Sequence, residues 1–400
     1  MPDTAGLHND LERPERLLGL IEGPAEGKRT GPTIVVTSAI HGNEPAGTIA
    51  TQRVLDTLER EKISLRGRLL ALLGNRAAFA NKTRFLAHDL NRGWKESDIQ
   101  RLRQKSPEAL TAEDLEQREI LDFLSPYLDK AQQPLVFLDL HSTSGAAQPF
   151  SCMADVLRNR PIAFSFGIPV VLGLEEVIDG TMLGYFCDLG HIGVAVEGGQ
   201  HDDPRTVDNH EATIWMTLVA AGALDAKDIP NFQTHRQVLE QAVQDLPQVF
   251  EIRHRHVIAE GDAYSMTPGF ANFVPCHAGQ KLGLDRHGAV EAPESGYVML
   301  PRYQSQGDDG FFIARPVSRF WLALSAGIRR LRLDRLLPYF PGITRHPELA
   351  DRFVANHHIA RFRSNEIVHL FGYRRERWRD GDLVFSRRRP DFKPLARPTR

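Results

Sequence analysis

Four short stretches of this 400-residue chain carry the residue types that chemistry needs. In "TIVVTSAIHGNEPAGTIA", residues 33–50, an apolar run gives way to His41 and Glu44 just before a helical pattern. Residues three apart across a helix start can aim both side chains at one point. Zinc accepts imidazole nitrogen and carboxylate oxygen, and its catalytic sites use three protein ligands with a position left for water. The stretch "PLVFLDLHSTSG" offers the third ligand, since an apolar strand ends at Leu140 and His141 follows. Asp139, two residues earlier, is a candidate to orient an imidazole. Either motif alone fits a polar loop as well as a ligand set. Two histidines at the ends of two buried strands favour the metal.

Water activated at such a centre also needs a base that takes its proton and returns it to a leaving group. "GVAVEGGQH" places Glu197 directly after a third apolar run, and Gly198-Gly199 lets other groups come close. In the fourth stretch, "NKTRFLAHDLNRGW", Arg84, Asn91 and Arg92 put two guanidiniums and an amide in one loop. Arginine suits bidentate capture of a carboxylate and stabilisation of an oxyanion. Standing alone, this loop would read as surface charge. His88, His191, His201 and His210 fit incidental roles, with His201 near enough to Glu197 to support it.

The elements that must position these groups follow from periodicity. Thr33–Ile40, Arg68–Asn75, Pro134–Leu140, Pro169–Leu174 and Gly193–Val196 are short, β-branched and apolar on both faces, as strands covered by helices should be. Ala50, Val54 and Leu58 mark an amphipathic helix after Pro45, and a second helix is expected over Asp208–Leu224. The pattern is α/β with a largely parallel sheet, which places sites at strand C-termini. From 248 to 316, short extended runs punctuated by Gly and Pro predict a smaller β-rich domain. Beyond 317 we expect a helix over Phe320–Leu337, another near 347–358, and a hairpin turning at Asp380-Gly381. The expected division is 1–230, 231–316 and a 317–400 extension with a basic tail.

A formal net charge of −2 and a 25% charged fraction offer no global field for nucleic acid or membrane. Cys152, Cys187 and Cys276 are too scattered for a metal motif and read as reduced thiols of a cytoplasmic protein. The N-terminus has no apolar core of a signal peptide, and no apolar run is long enough to span a bilayer.

"HGNE" after a strand, "R…DLNR", "DLH" after a later strand and "VEGGQ" after another occur in one order and spacing. Together they resemble the succinylglutamate desuccinylase/aspartoacylase family of the zinc carboxypeptidase-like fold, over roughly residues 30–316. The resemblance implies a zinc-dependent amidohydrolase that removes the acyl group from a small N-acyl amino acid. It implies one Zn²⁺ per chain on His41, Glu44 and His141, with Glu197 as general base and acid. Arg84 would polarise the scissile carbonyl, and Asn91 and Arg92 would hold the substrate carboxylate. A zinc metallocarboxypeptidase acting on short peptides is the alternative, since it would share zinc, base and clamp. The implied partner is a small molecule, without nucleic acid or membrane, and homo-oligomer formation is compatible with it. Two positions depart from the family: Cys187 stands where another substrate Arg is placed, and Asp308-Asp309-Gly310 where a Tyr is common. Tyr303 and Tyr264 are the candidates to replace that Tyr.

Overall fold

The computed structural model describes residues 15–23, 31–128, 135–346, 352–355, 370–375 and 383–387. Its strands are β1 (Leu17–Glu22), β2 (Thr33–Ser38), β3 (Arg68–Leu73), β4 (Val136–Thr143), β5 (Phe150–Cys152), β6 (Val170–Leu172) and β7 (Ile192–Gln200). The β-rich part adds β8 (Val249–Val257), β9 (Ser265–Met266), β10 (Val274–Cys276), β11 (Lys281–Asp285), β12 (Gly288–Glu291), β13 (Gly296–Met299) and β14 (Asp309–Pro316). The helices are α1 (Ala46–Arg60), α2 (Arg76–Ala80), α3 (Glu96–Gln104), α4 (Ala112–Leu128), α5 (Arg160–Ser165), α6 (Leu174–Val177), α7 (Met182–Asp188), α8 (Pro204–Ala220), α9 (Phe232–Ala242) and α10 (Arg319–Arg330).

The fold is mixed α/β around an 11-stranded sheet of order β1-β3-β2-β4-β7-β5-β6-β8-β14-β13-β10. Its β3-β2-β4-β7 centre is parallel. Successive side chains of a strand face opposite ways, so the two faces sort themselves. Ile34, Val36, Val136, Leu138, Val194 and Val196 pack in one core with Ala50, Val54 and Leu58 of α1 and Ile214 and Leu218 of α8. Val35, Leu70, Leu72 and Phe137 face the other way, into a core with Ile120 and Leu124 of α4 and Phe186 of α7. Burial on both sides explains why these strands lack polar alternation.

From β2 the chain crosses to β3 on one side and later returns to β4 on the other. The crevice between β2 and β4 is therefore a topological switch point, where open α/β sheets place their sites. β1 pairs antiparallel with β3, and β5 antiparallel with β7, so from β1 to β8 five of the seven neighbouring pairs are parallel, while β8, β14, β13 and β10 are antiparallel.

In the β-rich part, β8, β14, β13 and β10 extend the same sheet, while β9, β11 and β12 form a small second one. Tyr264, Met266, Leu282 and Val290 share a core with Val298, Phe311 and Ile313, which joins the two sheets. Beyond 317 two expectations are corrected. The helix ends at Arg330, and Arg332 adopts φ 54° before a 3₁₀ turn at Leu333–Tyr339. Where a helix near 347–358 was expected, Arg352–Ala355 is a strand pairing with Ile343–Arg345 and Leu383–Arg387. Phe353 packs there with Tyr373 and Phe385, so cross-strand burial outweighs helical propensity. Asp380-Gly381, His357-His358 and most of the basic tail lie outside the described residues. Among those described, no helix is long and apolar enough to cross a membrane.

Candidate metal centre

β2 runs out at Ser38, Ala39 takes φ 50°, and the chain then turns through His41 to Glu44 before α1 begins at Ala46. Gly42 makes that turn possible. A Cβ there would lie 2.1 Å from the Ala78 carbonyl carbon, and its N–H donates to Arg84 O at 3.1 Å. The turn is thus packed against the backbone that carries the arginine loop. β4 delivers His141 one residue past Leu140, the register partner of Ser38, and Glu197 of β7 stands directly opposite His141.

His41, Glu44 and His141 are all buried, and each offers a ligand atom within 4.8 Å of the others'. Glu44 Oε1 lies 2.8 Å from His41 Nδ1, and Glu44 Oε2 lies 3.2 Å from His141 Nδ1. The Ser142 N–H donates to Glu44 Oε2 at 3.1 Å, which fixes the carboxylate. The far nitrogen of each ring meets another carboxylate. His141 Nε2 is 3.0 Å from Asp139 Oδ2, and His41 Nε2 is 3.2 Å from Asp89 Oδ1. Thr37 of β2 donates to Asp139 Oδ1 at 2.6 Å, so that carboxylate is also held. Carboxylates behind both imidazoles set their tautomer and orientation, the usual support of a metal-binding histidine.

Burial alone would raise the Glu44 carboxyl, but the charge of His41 and hydrogen bonds from both histidines hold it well below the usual range. Burial likewise opposes ionisation of Asp89, and His41 and Arg84 hold it well below its ordinary value. Burial also opposes protonation of His141, yet Asp139 and Glu44 push it well above an ordinary histidine. Glu44, Asp89 and Asp139 therefore surround two imidazoles with an excess of negative charge. That environment, with nitrogen and oxygen donors, fits a divalent cation such as zinc.

Glu197 borders the same cavity. Its Oε2 is buried and has no hydrogen-bond partner among the described residues. Burial, reinforced by the charge of Glu44, raises the carboxyl to about 7 against the pull of His141, His41 and Arg84.

Arg84, Asn91 and Arg92 all line this cavity. Arg84 Nη2 donates to Asp89 Oδ2 at 3.0 Å, and Nη1 lies 3.7 Å from Glu44 Oε1. Burial would lower the Arg84 guanidinium, but Asp89 and Glu44 raise it, so it stays charged. Asn91 accepts from the Met182 N–H at 2.8 Å, which anchors its amide to α7. Arg92 donates to Asn91 O at 3.0 Å and to Asp309 Oδ2 at 3.3 Å.

The loop between β13 and β14 supplies the opposite wall, including Leu300, Pro301, Arg302, Gln304 and Gln306. Gln304 accepts from Asn43 at 3.0 Å, and Gln306 bridges Arg84 N and Phe85 O at 3.2 Å each. His201 joins from behind, with Nδ1 2.8 Å from Ser142 Oγ.

Other sequence candidates fall elsewhere. Cys187 lies within α7, fully buried in the core, and does not line the cavity. Tyr303 donates to Thr267 O at 2.9 Å, and Tyr264 lies tilted against His256 with ring centroids 5.1 Å apart; neither ring lines the cavity. Asp89, Gln304 and Gln306 were not among the residues expected from the sequence, and Asp309 figured there only at the place of a missing Tyr. For Asp89 a signal existed, since it lies inside "HDLNR" between the two arginines.

Residues 30–222 match the model of the succinylglutamate desuccinylase/aspartoacylase catalytic domain. Over residues 30–222 the chain belongs to that family. A family relative, the succinylglutamate desuccinylase of Pseudomonas fluorescens (strain SBW25), is 37% identical over 97 residues, 24% of this chain and 27% of that protein. The corresponding Pseudomonas putida (strain GB-1) protein is 33% identical over 119 residues, 30% of this chain and 33% of that protein. The aligned stretches thus span a third or less of those relatives. The solved family structure from Rhodobacter sphaeroides, a succinylglutamatedesuccinylase/aspartoacylase, superposes with TM-score 0.54 at 18% identity. It covers 76% of this chain and 88% of that one, and shows the fold.

Proposed function

We propose that this protein is a zinc-dependent amidohydrolase that removes the acyl group from a small N-acyl amino acid. The observation that carries the reading is the convergence of His41, Glu44 and His141 at the β2/β4 switch point, with Glu197 opposite His141. His41, Glu44 and His141 would hold the metal. When bound, zinc would supply a Lewis acid and lower the pKa of a coordinated water.

The chain's own residues do the rest. Glu197, with an unpartnered buried oxygen and a carboxyl near neutrality, takes a proton from the attacking water and returns it to the departing amine. Arg84, kept charged by Asp89, stabilises the negative charge that develops on the carbonyl oxygen. Arg92, with the Asn91 amide beside it, receives the substrate carboxylate. The β13–β14 loop closes the far wall and restricts the cavity to small substrates, which favours an acylated amino acid over a longer peptide. On this reading 1–230 is the catalytic part, 231–316 narrows the site, and 317–400 is an extension.

Metal analysis of purified protein, coupled to hydrolysis of N-acyl amino acids and dipeptides, tests the proposal. The expected result is one equivalent of zinc and turnover confined to the acylated amino acids. A protein that never binds metal stoichiometrically, or that cleaves only dipeptides, would overturn it.

A further inference from the structure

We infer that Asp309 is a built-in carboxylate that limits this site to substrates with a single carboxylate. The inference rests on the deacylase reading and specifies its substrate class.

Asp309 opens β14 and sits between two guanidiniums. Its Oδ1 accepts from Arg255 Nε at 2.5 Å, and its Oδ2 accepts from Arg92 Nη2 at 3.3 Å. Arg255 also donates to Val177 O at the end of α6, which ties this pair to the helix whose Leu174 and Glu175 line the cavity. Two arginines facing one point make an anion site, and here the chain's own carboxylate fills it. The three groups are each a quarter exposed or less, so water screens them only in part.

The remaining charges on this wall leave little for a second acid. Arg302 donates to Gly307 O at 2.7 Å and Tyr264 O at 3.4 Å, and lies over the Tyr264 ring. Asp308 and Asp309 offset its charge. Arg92, Arg255 and Arg302 thus face Asp308 and Asp309, a formal excess of one positive charge. Across the cavity Arg84 is already paired with Asp89. Glu175, also on the lining, adds another acid. With Glu175 counted, acids match arginines on this wall, so a first substrate carboxylate has only its direct pairing with Arg92, and a second would enter beside Asp308 and Asp309, where like charges repel. The preferred substrate therefore carries no acid on its acyl group and none on its side chain.

The test compares N-acetyl-L-alanine with N-acetyl-L-aspartate on the metal-replete full chain. Both kcat/KM and calorimetric binding are measured, for the wild type, Asp309→Asn and Asp309→Glu. The wild type is expected to favour the monocarboxylate about tenfold or more in both readouts. Asp309→Asn should shrink that ratio about tenfold, mainly by lowering KM for the dicarboxylate, while Asp309→Glu should restore it. Melting temperatures report whether each variant is folded. A wild type that takes the dicarboxylate equally well overturns the inference, as does an unmoved ratio in folded Asp309→Asn. Loss of the monocarboxylate preference in folded Arg302→Lys, with Asp309 intact, would assign that role to Arg302 instead and also overturn it. If neither compound is hydrolysed, the deacylase reading fails, and the binding ratio alone still decides the role of Asp309.

Discussion

Asp89 Oδ1 lies 3.2 Å from His41 Nε2, the ring nitrogen opposite the one that meets Glu44. The other oxygen of Asp89 accepts from Arg84 at 3.0 Å, so one carboxylate holds a metal-ligand candidate and the oxyanion candidate together. Asp139 performs the first of these tasks for His141 but, among the described residues, accepts from no arginine.

That difference separates two substitutions. Asp139→Asn should weaken metal affinity by about 10- to 100-fold and leave kcat of the fully loaded protein nearly unchanged. Asp89→Asn should cost a similar factor in metal affinity and lower kcat as well, because Arg84 loses its anchor. Metal titration with a chromophoric chelator, followed by saturating-metal kinetics, checks both. Equal kcat effects in the two variants would contradict the dual role of Asp89.

Glu197→Gln keeps the shape and removes the base. Zinc content should remain stoichiometric, while kcat falls by about 10²- to 10⁴-fold. Elemental analysis and steady-state kinetics on one preparation settle it, and unchanged turnover would remove Glu197 from the mechanism.

Gly42→Ala should disturb the centre without touching a ligand. The added Cβ would meet the backbone of Ala78 at 2.1 Å, which no rotamer change relieves. The turn must move away from the Arg84 loop, at a cost of about 1–3 kcal/mol. Urea unfolding should show the lost stability, and metal affinity should drop with it. A variant with native stability and native metal binding would mean that the turn tolerates the shift.

Asp155 ties α10 to the α/β part of the chain. It accepts from Arg329 at 2.9 Å and from Arg160 at 2.9 Å, and the Arg329 side chain is only 1% exposed. Burial works against ionisation of Asp155, but the two arginines hold its carboxyl far below the ordinary 3.8. A depressed acid stabilises the fold above its unfolded value and loses that contribution as pH falls through its folded one. Asp155→Asn should therefore destabilise the protein by about 2 kcal/mol at neutral pH. The gap to wild type should shrink below about pH 4. Thermal melts across pH 3–7 read it directly, and a gap that widens on acidification would contradict the assignment.

Much of this was legible in residue order. β-branched runs such as Thr33–Ser38 could be buried only as strands between helices, and the groups following them had to emerge at the strand ends. That placed His41, Glu44, His141 and Glu197 at one edge of one sheet. Their spacing also carried the family resemblance. The helix expected near 347–358 failed because apolar spacing over so short a run does not separate a helix from a strand, and Phe353 found its partners across a sheet.

What sequence order could not convey is which distant groups share an electrostatic field. Asp89 and His41 are 48 residues apart, and Asp309 and Arg92 are 217 apart. No periodicity links such pairs; only the crossing of β2 to β4 and the return of β14 beside the cavity bring them together. The sequence alone thus determined the sheet and which candidate donors and candidate base stand at its strand ends. Tertiary packing decided which carboxylates back the histidines, and that Arg92 meets a carboxylate of the chain itself. The physical reason is range: side-chain periodicity is local, whereas charge pairing depends on distances set only when the whole chain is folded.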